Sequence, residues 1–108
     1  MPFSVRLTDG AVRDLESIVS YLDRHAGWGH TDRLLDRMEA AFESLSEFPL
    51  RGRCPMKLAD LGILDYREVA VKPYRLIYQV SGDSVVVLVI ADGRRDMRTL
   101  LQRRLLQA

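Results

Sequence analysis

The stretch that most limits what this chain can become is "SVVVLVIA", residues 84–91, in which every position after Ser84 is apolar. A half-buried strand alternates apolar and polar residues, because successive side chains point to opposite faces. A run apolar at every position therefore reads as a central strand covered on both faces. It is far shorter than the roughly 20 residues a membrane span needs. The rest of the chain has to supply strands beside it and helices to cover it.

Two strands are predicted just before it, Tyr66 to Val71 and Tyr74 to Val80, separated from each other by "KP" and from the central run by "SGD". Their mixed polarity suggests one wet face each. "FSVRL" (Phe3 to Leu7) alternates and reads as a further short strand. Thr8 then stands as an N-cap, with Leu7 and Val12 spaced for a hydrophobic staple. Val12, Leu15, Ile18, Val19 and Leu22 recur at helical spacing, predicting a helix from about Asp9 to His25. "AGWGH" breaks it, and a second helix follows from about Thr31 to Glu47, with Leu34, Leu35, Met38, Ala41, Phe42 and Leu45 on one face. Pro49 ends that helix, and the short break implies an antiparallel helical hairpin. "PLRGRCPMKLADLGILD" has no clean period and is expected to be a loop with one helical turn. Asp96 can cap a last helix from Met97 to Gln107. The order β-α-α-β-β-β-α describes an α+β fold, helices on a small, largely antiparallel sheet, with residues 1–108 forming one domain.

Charge is unevenly shared. Residues 1–50 carry five Arg against nine acidic residues, whereas residues 51–108 carry eleven Arg and Lys against six. The C-terminal half is thus the side for an anionic partner, either nucleic acid or an acidic protein. The lone Cys54 can form no internal disulfide, which favours a reducing, cytoplasmic setting, and no N-terminal signal segment is visible. Its basic neighbours Arg51, Arg53 and Lys57 could activate the thiol, but no His follows His30 to serve as its base. His25 and His30 lie at the interhelical break without a convincing ligand set, so neither a metal nor a cofactor is expected.

Arginine chemistry is the remaining option. Arg67 and Arg75 sit on adjacent strands, and Arg94 and Arg95 follow the third, so all four could converge on one sheet face. Arginine neutralises and orients phosphate but is too basic to take a proton, so cleavage would need a separate acid and base. Tyr74 and Tyr78 share the parity of Leu76 and should face the core, away from Arg75, while Tyr66 is the third tyrosine of this half. Glu68 has the opposite parity to Arg67. The set reads as a surface for phosphates or carboxylates rather than a complete nuclease. On the last helix, Met97, Leu100, Leu101 and Leu105 form an apolar stripe, with Arg98 and Arg103 beside it and Arg104 within its arc. That stripe either packs on the sheet or is partly a groove for a partner.

With "TDGAVRDLESIVSYL", the Trp of "GWG", "FPLRGRCP" and above all "YREVAVKPYRLIYQVSGDSVVVLVIADGRRD" in view, the chain closely resembles the RelE/ParE superfamily of bacterial type II toxins along nearly its whole length. The resemblance implies a compact α+β toxin of microbial RNase-like fold. It also implies a cognate antitoxin, ParD-like or other, whose C-terminal region wraps the toxin in a hetero-oligomer. Ribosome-dependent endonucleases of the superfamily use arginines, matched here by Arg75 and Arg95, plus a C-terminal Tyr or His as acid–base residue. Here Leu100 and Leu101 stand at that place, nothing after Tyr78 is Tyr or His, and only Arg67 remains where assisting lysines are expected. The ParE branch instead poisons DNA gyrase, lacks the ribonuclease residues, and has a long helical hairpin with a Trp. The departures favour that branch, an inhibitor rather than an enzyme. The alternatives are a ribosome-dependent mRNA endonuclease and a non-toxic, degenerate partner-binding module. The surface expected to meet antitoxin or target comprises Arg67, Arg75, Arg94, Arg95 and Arg98, together with Leu100, Leu101, Arg104 and Leu105.

Overall fold

A computed structural model describes residues 2–106. Strand β1 (Ser4–Leu7) leads into helix α1 (Asp9–His25), which α2 (His30–Glu47) follows. A short turn of helix, α3 (Met56–Ala59), precedes β2 (Arg67–Val71), β3 (Tyr74–Ser81) and β4 (Ser84–Asp92), and α4 (Met97–Leu106) closes the chain. Gln107, expected in the last helix, lies outside the described residues. The sheet order is β1-β4-β3-β2, with β1 parallel to β4 and the other pairs antiparallel. No helix among the described residues is long and apolar enough to cross a membrane.

The local signals act as expected. Thr8 caps α1 by accepting from the Ala11 N–H at 3.1 Å. Gly27 and Gly29 take φ of +82° and +84° in the interhelical turn, a backbone region that a side chain disfavours. Asp96 accepts from the Arg98 and Thr99 amides and from the Thr99 hydroxyl, fixing the start of α4. Val12 and Leu35, counted on the apolar stripes, are instead 43% and 38% exposed. The helices bury narrower faces than the pattern suggested.

The apolar run of β4 serves both faces, with a shift midway. Its register against β3 slips between Ile77 and Tyr78, so Val89 pairs with Ile77 and Val87 with Tyr78. The extra residue changes the side to which the strand's parity points. Val85, Val87 and Ile90 join Leu76, Tyr78 and the α1–α2 hairpin in one core cluster. Leu88, Val89 and Ala91 join Ile77, Leu58, Met97 and Leu101 in a second cluster beneath α3 and α4. The expected wet face of β3 is accordingly dry at its centre, where Ile77 is fully buried.

The aperiodic segment after α2 is pinned to the sheet edge by polar contacts. The buried Tyr78 hydroxyl donates to the Pro49 carbonyl at 2.8 Å and accepts from the Gly52 N–H at 2.9 Å. A Cβ on Gly52 would lie 2.5 Å from that hydroxyl and 2.8 Å from the Glu68 carbonyl, so only glycine permits the approach. Arg53 and Glu68 exchange backbone hydrogen bonds at 3.2 and 2.7 Å, extending the sheet past β2.

A candidate arginine cleft

Glu68 and Arg75 sit diagonally across β2 and β3 on the face covered by α3 and α4, since Glu68 pairs with Ile77 and Ala70 with Arg75. Around them a cleft of about 390 Å³ opens between α3, the sheet and the β4–α4 turn. Its six cations are Arg53, Lys57, Arg75, Arg94, Arg95 and Arg98. Glu68 is the buried acid of the cleft, with 6% of its side chain exposed. Its Oε1 lies 3.4 Å from Arg53 Nε, and its Oε2 lies 3.7 Å from Arg75 Nη1 and has no hydrogen-bond partner. That oxygen is buried with an attraction to Arg75 but no hydrogen-bond donor, a costly arrangement in a fold.

The cations differ in how far they are already committed. Arg94 grips Asp92 through its backbone N–H and two guanidinium nitrogens, at 2.9 to 3.1 Å. Those bonds hold the Asp92 carboxyl below the usual carboxylate range and raise Arg94. Lys57 is 3.9 Å from Asp96, whose carboxyl is also lowered, chiefly by the Thr99 hydroxyl and amide. Among the described residues, exposed Arg95 and Arg98 enter no ion pair within 4 Å. Arg75 lies along the strand end beside Gly93.

Beside the cleft, and sharing Leu58 and Arg98 with it, lies a groove of about 470 Å³ lined mostly by aliphatic side chains. Leu61, Ile63, Tyr66 and Leu105 line it above a floor of Leu101. Leu61 and Leu105 are 56% and 43% exposed. Cations and apolar surface thus adjoin, which suits an amphipathic, acidic segment.

Of the residues expected at a binding surface, Arg75, Arg94, Arg95 and Arg98 meet in the cleft, and Leu105 lines the groove. The other four are placed differently. Arg67 pairs with Tyr78 on the opposite sheet face, and its guanidinium donates to the Leu50 and Gly52 carbonyls at 3.1 and 2.7 Å. It does not converge with Arg75. Arg104 turns back to α1, where both terminal nitrogens bind Asp14 at 2.9 Å. Leu101 is 2% exposed in the second core and Leu100 packs against it, so the stripe is mainly internal packing. Arg53, Lys57 and Glu68 were missed as site residues. The first two come from the aperiodic segment, and Glu68 was compared only with Arg67. Its place beside Arg75 follows from the β2–β3 register, which parity within one strand does not give.

Tyr74 and Tyr78 face the hairpin-side core, as their parity predicted. Burial raises both hydroxyl pKa values, and at Tyr78 the Gly52 amide partly opposes it. No tyrosine or histidine lines the cleft. Its cations can bind phosphates or carboxylates.

The fold, a four-stranded sheet covered by helices on both faces, agrees with that of known proteins. The chain belongs to the ParE toxin family of the parDE type II toxin–antitoxin system, whose family model matches residues 5–97. It is 31% identical to Toxin ParE3 of Caulobacter vibrioides over 91 residues, covering 84% of this chain and 87% of that protein. Its fold is similar to a chromosomal ParDE system from P. aeruginosa, with a TM-score of 0.67 at 16% identity over 83% of this chain and 95% of the other. It is also similar to the RelBE2 toxin–antitoxin complex of Mycobacterium tuberculosis, with a TM-score of 0.61 at 26% identity over 88% and 95%. The protein is a type II toxin of the RelE/ParE superfamily.

Proposed function

We propose that this toxin acts by binding rather than by cutting, with DNA gyrase as its target. A ParD-like antitoxin would neutralise it by laying an acidic, amphipathic segment over the cleft and groove. The observation that carries the reading is the state of Leu100 and Leu101. By the resemblance they stand where cutting members of the superfamily carry an acid–base residue, and both pack in the second core beneath the sheet. The cleft's surplus of positive charge supports recognition of an acidic surface. Purified toxin is expected to inhibit gyrase supercoiling of a relaxed plasmid. Full gyrase activity at toxin concentrations that arrest growth would contradict the reading.

Glu68 supports a second reading, an mRNA endonuclease on the ribosome. A buried carboxylate beside Arg75 is placed to take a proton from a 2′-hydroxyl while Arg75 and Arg95 hold the phosphate. Toxin added to translating ribosomes would then cut the message, and both Glu68→Gln and Arg95→Ala would abolish the cut. An intact message with wild-type toxin removes this reading.

A further inference from the structure

A second set of cations, outside the residues assigned above, lies on the hairpin side of the sheet. Arg33 and Arg37 stand one turn apart on the exposed face of α2 and, among the described residues, enter no ion pair within 4 Å. With His30, Pro73 and Tyr74 they line a hollow of about 300 Å³ with no carboxylate in its wall. Pro73 and Tyr74 also line a neighbouring hollow of about 400 Å³, together with Lys72, Arg53, Glu68 and Arg75. That hollow in turn shares Arg53, Glu68 and Arg75 with the arginine cleft. The three hollows follow one another around the sheet's end through these shared wall residues. A cationic belt therefore runs from Arg37 past Lys72 to Arg95, and the exposed Lys72–Pro73 turn stands between its two sides.

We propose that this belt holds the backbone of duplex DNA, with the β2–β3 turn directed into the major groove. Two flanking rows of cations suit the two phosphate rows that border a groove, and the major groove of B-form DNA admits a two-stranded ribbon. The major groove of duplex RNA is too deep and narrow for it. Single strands are gripped by aromatic platforms on which bases stack. Among the described residues Tyr74 is the one Phe, Tyr or Trp lining the belt, it packs against the hairpin-side core, and His30 is the one other aromatic ring there, too little for a stacking platform. Contact is thus to the backbone, without sequence preference and with strong salt dependence. The inference is independent of the gyrase reading, although a toxin acting on a DNA-bound enzyme would gain from it.

The test is fluorescence anisotropy of a labelled mixed-sequence DNA duplex of about 20 base pairs, titrated with toxin between about 50 and 200 mM salt. The double variant Arg33→Ala with Arg37→Ala should weaken binding about tenfold and reduce the log–log salt slope by about two, near 0.9 per lost phosphate contact. Its melting temperature and antitoxin affinity should not change, because both residues are exposed and lie outside the cleft and groove. Failure of wild-type toxin to bind the duplex at low salt would overturn the proposal. So would an unchanged slope in the variant, or tighter binding to duplex or single-stranded RNA of equal length.

Discussion

Two acid–arginine contacts in partly buried settings, Asp14–Arg104 and Glu68–Arg75, are built to opposite ends. In the first, Arg104 of α4 meets Asp14 of α1 through two bonds of 2.9 Å and also donates to the Leu88 carbonyl. Asp14 further accepts from the Ile90 amide, so the pair completes the β4 edge beyond the reach of β1. Gly10 makes room for it, since a Cβ there would lie 2.5 Å from Arg104 Cδ. In the second pair, Glu68 and Arg75 approach only to 3.7 Å, and one carboxylate oxygen has no partner. The saturated pair ties helices to the sheet, while the unsaturated one faces a cleft of surplus positive charge. The difference between a structural and a functional arginine lies in how many of its partner's lone pairs are already used.

The contrast can be broken by experiment, beginning with the saturated pair. Asp14→Asn leaves a guanidinium with 18% of its side chain exposed without its counter-charge. It should cost about 3 kcal/mol, or roughly 10–20 °C in Tm by thermal denaturation. A loss below about 1 kcal/mol would mean that the pair adds little. Gly10→Ala acts on the same pair indirectly, by displacing the Arg104 stem. A cost of about 1–2 kcal/mol is expected from denaturant titration, and a neutral result would show that Arg104 can be rerouted without penalty.

The opposite is expected of the second pair. Glu68→Gln removes a poorly compensated buried charge and should move stability by no more than about 0.5 kcal/mol in either direction. A loss above about 2 kcal/mol would make Glu68 as structural as Asp14. The smallest effect concerns the cleft rim. The folded pKa values of Asp92 and Asp96 lie below their ordinary ones, so their stabilising contribution is complete above about pH 4. It is lost as pH falls through the lowered folded values. Amide exchange at Arg98 and Thr99, which bond Asp96, should accelerate there relative to the hairpin, and Asp96→Asn should remove that acid response. An identical response in Asp96→Asn would exclude the cap as its source.

These two pairs also mark how far a one-dimensional reading could go. Helix α1 was legible because Thr8, the apolar stripe and "AGWGH" all agree, and β4 because its unbroken apolar run admits few alternatives. Arg75, Arg94, Arg95 and Arg98 were legible as a site because they cluster near one strand end in sequence and in space. Arg104 was not, because its partner Asp14 lies 90 residues away, and a helical wheel carries no information on distant partners. The expectation for Arg67 failed because convergence with Arg75 depends on register, which sets Arg67 opposite Tyr78 and Arg75 opposite Ala70. Arg53 and Lys57 reach the cleft only because Gly52 and Tyr78 fasten an aperiodic loop to the sheet edge. Periodicity cannot register such an anchor.

The central claim is that the unsaturated arginine cleft, and not the saturated pair, is the surface through which this toxin is recognised. Calorimetric titration of the Arg94→Glu, Arg95→Glu double variant with the antitoxin from the same operon tests it most directly. Both side chains are exposed at the cleft rim, so Tm should stay within a few degrees of the wild type. The account predicts that antitoxin affinity falls about a hundredfold or more, as expected when like charges face each other across an interface. Wild-type affinity in the folded variant would contradict it.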